Sequence, residues 1–102
     1  MERYSSRGID ELGRMVLPVE IRTKLNLRAN MQVSLTPIDT IVILQRVDGE
    51  PIPACTCYNY TSTLDELHRV TFSHELLSQQ GWKAGSTVAL YVNDNIIILK
   101  SA

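Results

Sequence analysis

The chain has 102 residues, 44% of them hydrophobic and 21% charged, with a formal net charge of −1. That length suits one small domain, or two small modules sharing a core, and excludes two independently folded domains. No run approaches the roughly 18 apolar residues of a membrane span, and the opening Met1-Glu-Arg-Tyr-Ser-Ser-Arg7 is charged with no apolar stretch behind it, so the expectation is a soluble, cytoplasmic protein.

In chain order, residues 4–9 read as a short strand leading into the loop Asp10-Glu-Leu-Gly-Arg14, and Met15-Val-Leu17 as a second short strand. Pro18 falls where a helix starts, a place that tolerates its missing N–H. Ile21 and Leu25, four apart, give that helix one apolar face, and Asn26 ends it after barely two turns. Residues 31–36 and 41–44 are strands joined by the hairpin turn Ile38-Asp-Thr40. The stretch 47–57 contains Asp48-Gly-Glu-Pro-Ile-Pro53, whose prolines make an extended, exposed linker able to reach roughly 30 Å. It also carries both cysteines, Cys55 and Cys57. One residue apart, and with no second ligand pair at metal spacing, they are expected to be reduced thiols rather than a disulfide framework or a zinc site.

Beyond the linker the order repeats. Tyr58 to Leu64 is a strand, Asp65-Glu-Leu-His-Arg69 the loop, Val70-Thr-Phe72 a strand, and Ser73 a helix cap. Gly81 stops the helix, and 86–92 and 96–99 are strands around the turn Asn93-Asp-Asn95. Sliding the sequence on itself by 55 positions without a gap gives twelve identities over residues 10–46: Asp10, Glu11, Leu12, Arg14, Glu20, Ala29, Val33, Leu35, Asp39, Ile41, Ile43 and Leu44. Unrelated segments would share roughly two or three, so the chain is an internal duplication of a β-β-α-β-β unit. Two copies are too few for a solenoid and make a pseudo-symmetric pair. Val42 and Ile97 break the apolar alternation of their strands, so each hairpin wants cover on both faces, which a unit of about 40 residues cannot supply for itself. The halves are expected to close over each other, within one chain or between chains.

The modest net charge hides a division. Residues 1–46 carry seven cations against five acids, a net +2, whereas residues 47–102 carry three against six, a net −3. Arginine clustered on loops and at a helix start suits phosphate oxygens and guanine edges, because a planar guanidinium donates two parallel hydrogen bonds.

The stretch Arg7-Gly-Ile-Asp-Glu-Leu-Gly-Arg-Met-Val-Leu-Pro-Val-Glu-Ile-Arg22, followed by the hairpin ending Ile41-Val-Ile-Leu44, resembles the AbrB family of bacterial DNA-binding transition-state regulators. The resemblance is close over residues 4–46. It implies a swapped-hairpin barrel, in which two β-β-α-β-β units interleave, and a tandem copy in one chain is also similar to the MraZ regulators. The expected organisation is an AbrB-like DNA-binding repeat at 1–46, a linker at 47–57, and a degenerate repeat at 58–102 used for pairing or assembly. Carried over residue by residue, the DNA-binding positions are Arg7, Arg14 and Arg22, with Lys24 near a further basic position that is Thr23 here. In the second copy His68 replaces Gly13, Ser73 replaces Pro18, Leu77 replaces Arg22, and Ser62 stands where Arg7 does. Asp10, Gly13, Asp65 and Arg69 are expected to shape the two loops, with Arg14 shared between loop and DNA, since the Asp/Arg pair survives in the half that lost its other cations.

The expected function is a bacterial, sequence-specific, double-stranded DNA-binding transcriptional regulator, acting as a homodimer or higher oligomer, without cofactor, metal or enzymatic activity. His68, Ser73 and His74 do not make a nucleophile–base geometry by adjacency alone. Two other readings compete. An antitoxin of the MazE type would share the barrel, though only Ser101 and Ala102 follow the last strand; a non-DNA-binding assembly protein would suit the near-neutral total charge.

Overall fold

The computed structural model describes residues 3–47 and 60–102. Among them the chain forms β1 (Arg3–Gly8), β2 (Arg14–Val16), α1 (Val19–Lys24), β3 (Gln32–Ile38), β4 (Ile41–Arg46), β5 (Tyr60–Thr63), β6 (Arg69–Thr71), α2 (His74–Gln80), β7 (Thr87–Asn93) and β8 (Ile96–Ser101). It is mainly β with two short helices, and the order β-β-α-β-β occurs twice. Most of the linker, with Cys55, Cys57 and Tyr58, lies outside the described residues.

The two helices begin and end by different means at equivalent positions. Ser73 caps α2, its Oγ accepting from the Leu76 N–H at 3.1 Å, and Gly81 ends it in the left-handed conformation. Pro18 occupies the cap of α1, one place before the first helical residue, and supplies no side-chain bond. α1 instead carries Glu20 in its first turn and Arg22 and Lys24 in its last, charges that complement the helix dipole.

Strand pairing interleaves the copies. The order of the six-stranded antiparallel sheet is β1-β7-β8-β4-β3-β5, so β1 joins the hairpin of the second copy while β5 joins that of the first. Both exchanges use one register: Arg7 faces Val88 just as Ser62, 55 residues on, faces Val33. The hairpins meet along β4 and β8, and β2 pairs with β6 in a separate two-stranded ribbon. In each of these last two pairings one residue faces its own twin, Ile43 opposite Ile98 and Met15 opposite Val70. A pseudo-two-fold axis passes through both points. Pro37 is tolerated in β3 because β5 reaches only as far as Leu35, leaving the Pro37 edge unpaired by that strand.

The exchange explains how short units bury their surface. The core is one cluster drawn from both copies, and it consists of nine symmetry-related pairs plus Leu25, whose twin Gln80 is polar. Val42 and Leu44 of β4, and Ile97 and Leu99 of β8, are fully buried, while Ile41, Ile43 and Ile96 on the opposite sheet face are half-buried. Phe72 and Trp82 fill the sites that Leu17 and Leu27 fill in the first copy, packing edge to face with centroids 5.5 Å apart.

Candidate nucleic-acid interface

The Asp-x-x-x-Arg loops are built twice by the same bonds. A short carboxylate can reach backbone amides just ahead of it, and Asp10 Oδ1 accepts from the N–H groups of Leu12 at 2.9 Å and Arg14 at 2.8 Å. Its Oδ2 accepts from Arg14 Nε at 2.8 Å. Asp65 repeats the pattern with Leu67 and Arg69, and Arg69 Nε lies 2.6 Å from its Oδ2. The backbone bonds to the arginine amides, ahead of the side-chain pairings, hold both carboxylates below their ordinary titration range.

Each loop turns on its fourth residue, which takes a left-handed backbone: Gly13 at φ +75° and His68 at φ +60°. At Gly13 an added Cβ would lie 3.0 Å from Leu77 Cδ1 and 3.4 Å from the Phe72 carbonyl oxygen, so Leu77 would have to give by a few tenths of an ångström. The loop of each copy is stitched to the other, with Leu17 N–H donating to the His68 carbonyl and Phe72 N–H to that of Gly13.

The ribbon then sorts side chains by parity. Met15 and Val70 point inward and are buried, so Arg14, Val16, Arg69 and Thr71 share the outward face, Arg14 opposite Thr71 and Val16 opposite Arg69. Arg14 and Arg69 are thereby brought together across the pseudo-axis. Their Nε edges are held by aspartates, and the structure records no partner for their Nη groups among the described residues. Around them stand exposed apolar groups: Leu12, Leu67, Val16 and, at the start of α1, Val19.

The other cations assigned to DNA, Arg7, Arg22 and Lys24, have no basic twin in the second copy. Arg7 lies on β1 with Nη1 donating to Ser5 Oγ and to the Ser6 carbonyl, each at 2.8 Å. Its twin Ser62 is buried and accepts from the Thr71 N–H at 3.0 Å, tying β5 to β6. Arg22, on α1, has its Nε buried with no hydrogen-bond partner among the described residues, an arrangement that costs about 1–3 kcal/mol. Leucine serves at the equivalent place in α2. Lys24 is exposed at the end of α1, where it lines a cavity with Arg46 rather than the ribbon.

Arg69 was assigned to loop architecture by the sequence pattern; the ribbon also places it beside Arg14. A three-residue strand does show that residues two apart share a face, but its partner β6 lies 55 positions away and is not legible from spacing. Ser73, adjacent to His74, is occupied as a helix cap. No family model matches this chain, and no curated protein matches it.

Proposed function

We propose that the chain is a bacterial transcriptional regulator of the AbrB type that binds double-stranded DNA, and that the interleaved sheet is a swapped-hairpin barrel completed inside one chain. The observation that carries this reading is the outward ribbon face. Two arginines are oriented through Nε, and their Nη groups are left for phosphate oxygens or guanine edges. A two-stranded ribbon fits the major groove, and exposed Leu12, Leu67 and Val16 suit contact with thymine methyl groups.

Arg22 supports the same reading. A buried guanidinium nitrogen without a partner works against stability, and its twin Leu77 shows that an apolar side chain fits such a place. Arg7, Arg14 and Arg22 contact DNA in this proposal, joined by Arg69, while Asp10, Gly13 and Asp65 hold the loops in shape; Lys24, which lines the cavity beside Arg46 instead of the ribbon, is left out of the interface. Because one face is a small footprint, two chains act together as a homodimer in the cytoplasm.

The test is selection of binding sequences from a random duplex pool, followed by a salt titration of the affinity. The slope of log affinity against log salt should fall by about 0.9 for each phosphate contact removed. Arg14→Ala and Arg69→Ala are expected to lower it, and light scattering should give the mass of two chains. Salt-independent binding, or none, would overturn the reading.

A further inference from the structure

The ribbon has two ends, and interleaving gives them different neighbours. Arg14 and Thr71 stand at one end and Val16 and Arg69 at the other, with the pseudo-two-fold axis passing between them at Met15 and Val70. The bond from the Asp10 N–H to the Arg14 carbonyl, 2.9 Å, lays the chain before Asp10 antiparallel to β2, so Arg7 falls beyond Val16, at the Arg69 end. Its twin shows the equivalent placement directly. Ser62 accepts from the Thr71 N–H, at the Arg14 end.

Arg22 is carried to the same end as Arg7. The Leu17 N–H donates to the His68 carbonyl at 3.1 Å and the Arg22 N–H to that of Pro18 at 3.0 Å, so the first turn of α1 starts beside the second copy's loop, next to Arg69. Its twin Leu77 correspondingly stands against the Gly13 turn, next to Arg14, where a Cβ built on Gly13 lies 3.0 Å from Leu77 Cδ1. The unmatched arginines of the first copy are therefore gathered around the loop arginine of the second. Arg69 has Arg7 and Arg22 for neighbours, whereas Arg14 has Ser62 and Leu77. Acids do not offset the difference, because they come as twins: Asp65, Glu66 and Glu20 at the Arg69 end, Asp10, Glu11 and Glu75 at the other.

We propose that one chain reads a polar DNA element, contacted on both sides of a local dyad but gripped strongly on the Arg69 side and weakly on the Arg14 side. The proposal rests on the ribbon being the DNA-binding face, and adds that the acidic copy supplies the principal base-reading arginine. Asp65 holds Arg69 through Nε, which turns the Nη pair toward a guanine edge, and Asp10 does the same for Arg14. The two arginines are two positions apart along the ribbon and one strand across, about 8 Å at the backbone. The base pairs they read therefore lie roughly two or three steps apart, at about 3.4 Å per step. Arg7 and Arg22 take phosphates flanking the pair that Arg69 reads. When two chains bind, each covers one such element.

The experiment takes a duplex selected by the full chain and measures base preference with single-base substitutions and phosphate contacts by ethylation interference. Arg14→Lys and Arg69→Lys keep the charge against the aspartate and lose the two-pronged fork. Each should erase about tenfold discrimination at one base pair, the two pairs lying roughly two or three steps apart, and Arg69→Lys should cost more total affinity. Arg22→Leu and Arg7→Ser should lose phosphate contacts beside the Arg69-dependent base pair, each lowering the salt slope by about 0.9, and leave those beside the Arg14-dependent pair unchanged. If Arg69→Lys fails to fold in a thermal melt, the other three variants decide, since the phosphates lost with Arg22→Leu and Arg7→Ser must then lie across the centre of the element from the Arg14-dependent pair. Phosphates lost beside that pair or equally on both sides, or base preferences that neither lysine variant alters, would overturn the polarity and leave DNA binding standing. No saturable binding to any duplex would overturn the DNA reading itself, and the polarity with it.

Discussion

The two copies share a skeleton and differ in what they present. Positive backbone φ angles occur among the described residues as symmetry-related pairs, Gly13 with His68, Asn26 with Gly81, Asn30 with Gly85, and Asp39 with Asp94. Turn geometry thus outlasts the residue type that most easily adopts it. The core pairs are equally constant in kind, and so are the Asp10/Arg14 and Asp65/Arg69 bonds. Divergence is concentrated at cationic positions, where Arg7, Arg22, Lys24 and Arg46 are matched by Ser62, Leu77, Gln79 and Ser101. Interleaving explains this. Each copy completes the sheet and core of the other, so the inside is constrained twice over, while one outside can change without the other.

The largest effect comes from breaking the pair itself. A fragment of residues 1–50 leaves β1 without β7 and β3 without β5, and every one of the nine core pairs without its second member. It should show no cooperative monomeric melt by circular dichroism, and any folded material should have at least the mass of a dimer by light scattering.

Exchanging twin residues sharpens the comparison. Ser62→Arg puts a charge where a buried hydroxyl bonds the Thr71 amide, and should cost of order 3 kcal/mol in a denaturant melt, whereas Arg7→Ser should be nearly neutral for stability. Arg22→Leu should hold or raise stability, by up to about 1 kcal/mol, as the orphaned Nε disappears. It should also weaken DNA binding at least tenfold with a shallower salt dependence. Retained DNA affinity in Arg22→Leu would remove that residue from the interface.

The loop turns should respond in opposite directions. Gly13→Ala forces a Cβ into the left-handed region and against Leu77, costing about 1–2 kcal/mol, while His68→Gly should be neutral or gain up to about 1 kcal/mol, both read as shifts in melting temperature. The smallest effect is on acid stability. Asp10 and Asp65 titrate below their ordinary value of 3.8 when folded, so their contribution is complete above that value and is lost as pH falls through the lower folded values. Asp10→Asn with Asp65→Asn should flatten the pH dependence of the melting temperature below 3.8, equally for the two loops.

Much of this was legible in the sequence because it rests on local physics. The 55-residue offset, the strands by period-two alternation, the helix cap at Ser73, and the stop at Gly81 follow from side-chain chemistry within a few positions. The aspartate loops were readable for the same reason, since a carboxylate four residues from an arginine needs no distant partner to form its bonds. Pro18 was read at the first helical position but occupies the cap, a one-residue difference set by how β2 hands over to α1.

What the tertiary structure decided is which copy supplies each neighbour. Sequence patterning requires that the hairpins be covered but does not say by whom, because an apolar face accepts any complementary apolar face. Pairing of β1 with β7 and β5 with β3 chose the other copy of the same chain. Pairing of β2 with β6 then put Arg69 beside Arg14, and the β7–β8 turn brought Asn95 to Lys24 and Arg46. These juxtapositions join residues about 50 or more positions apart. They depend on long-range backbone registers, which no local spacing records.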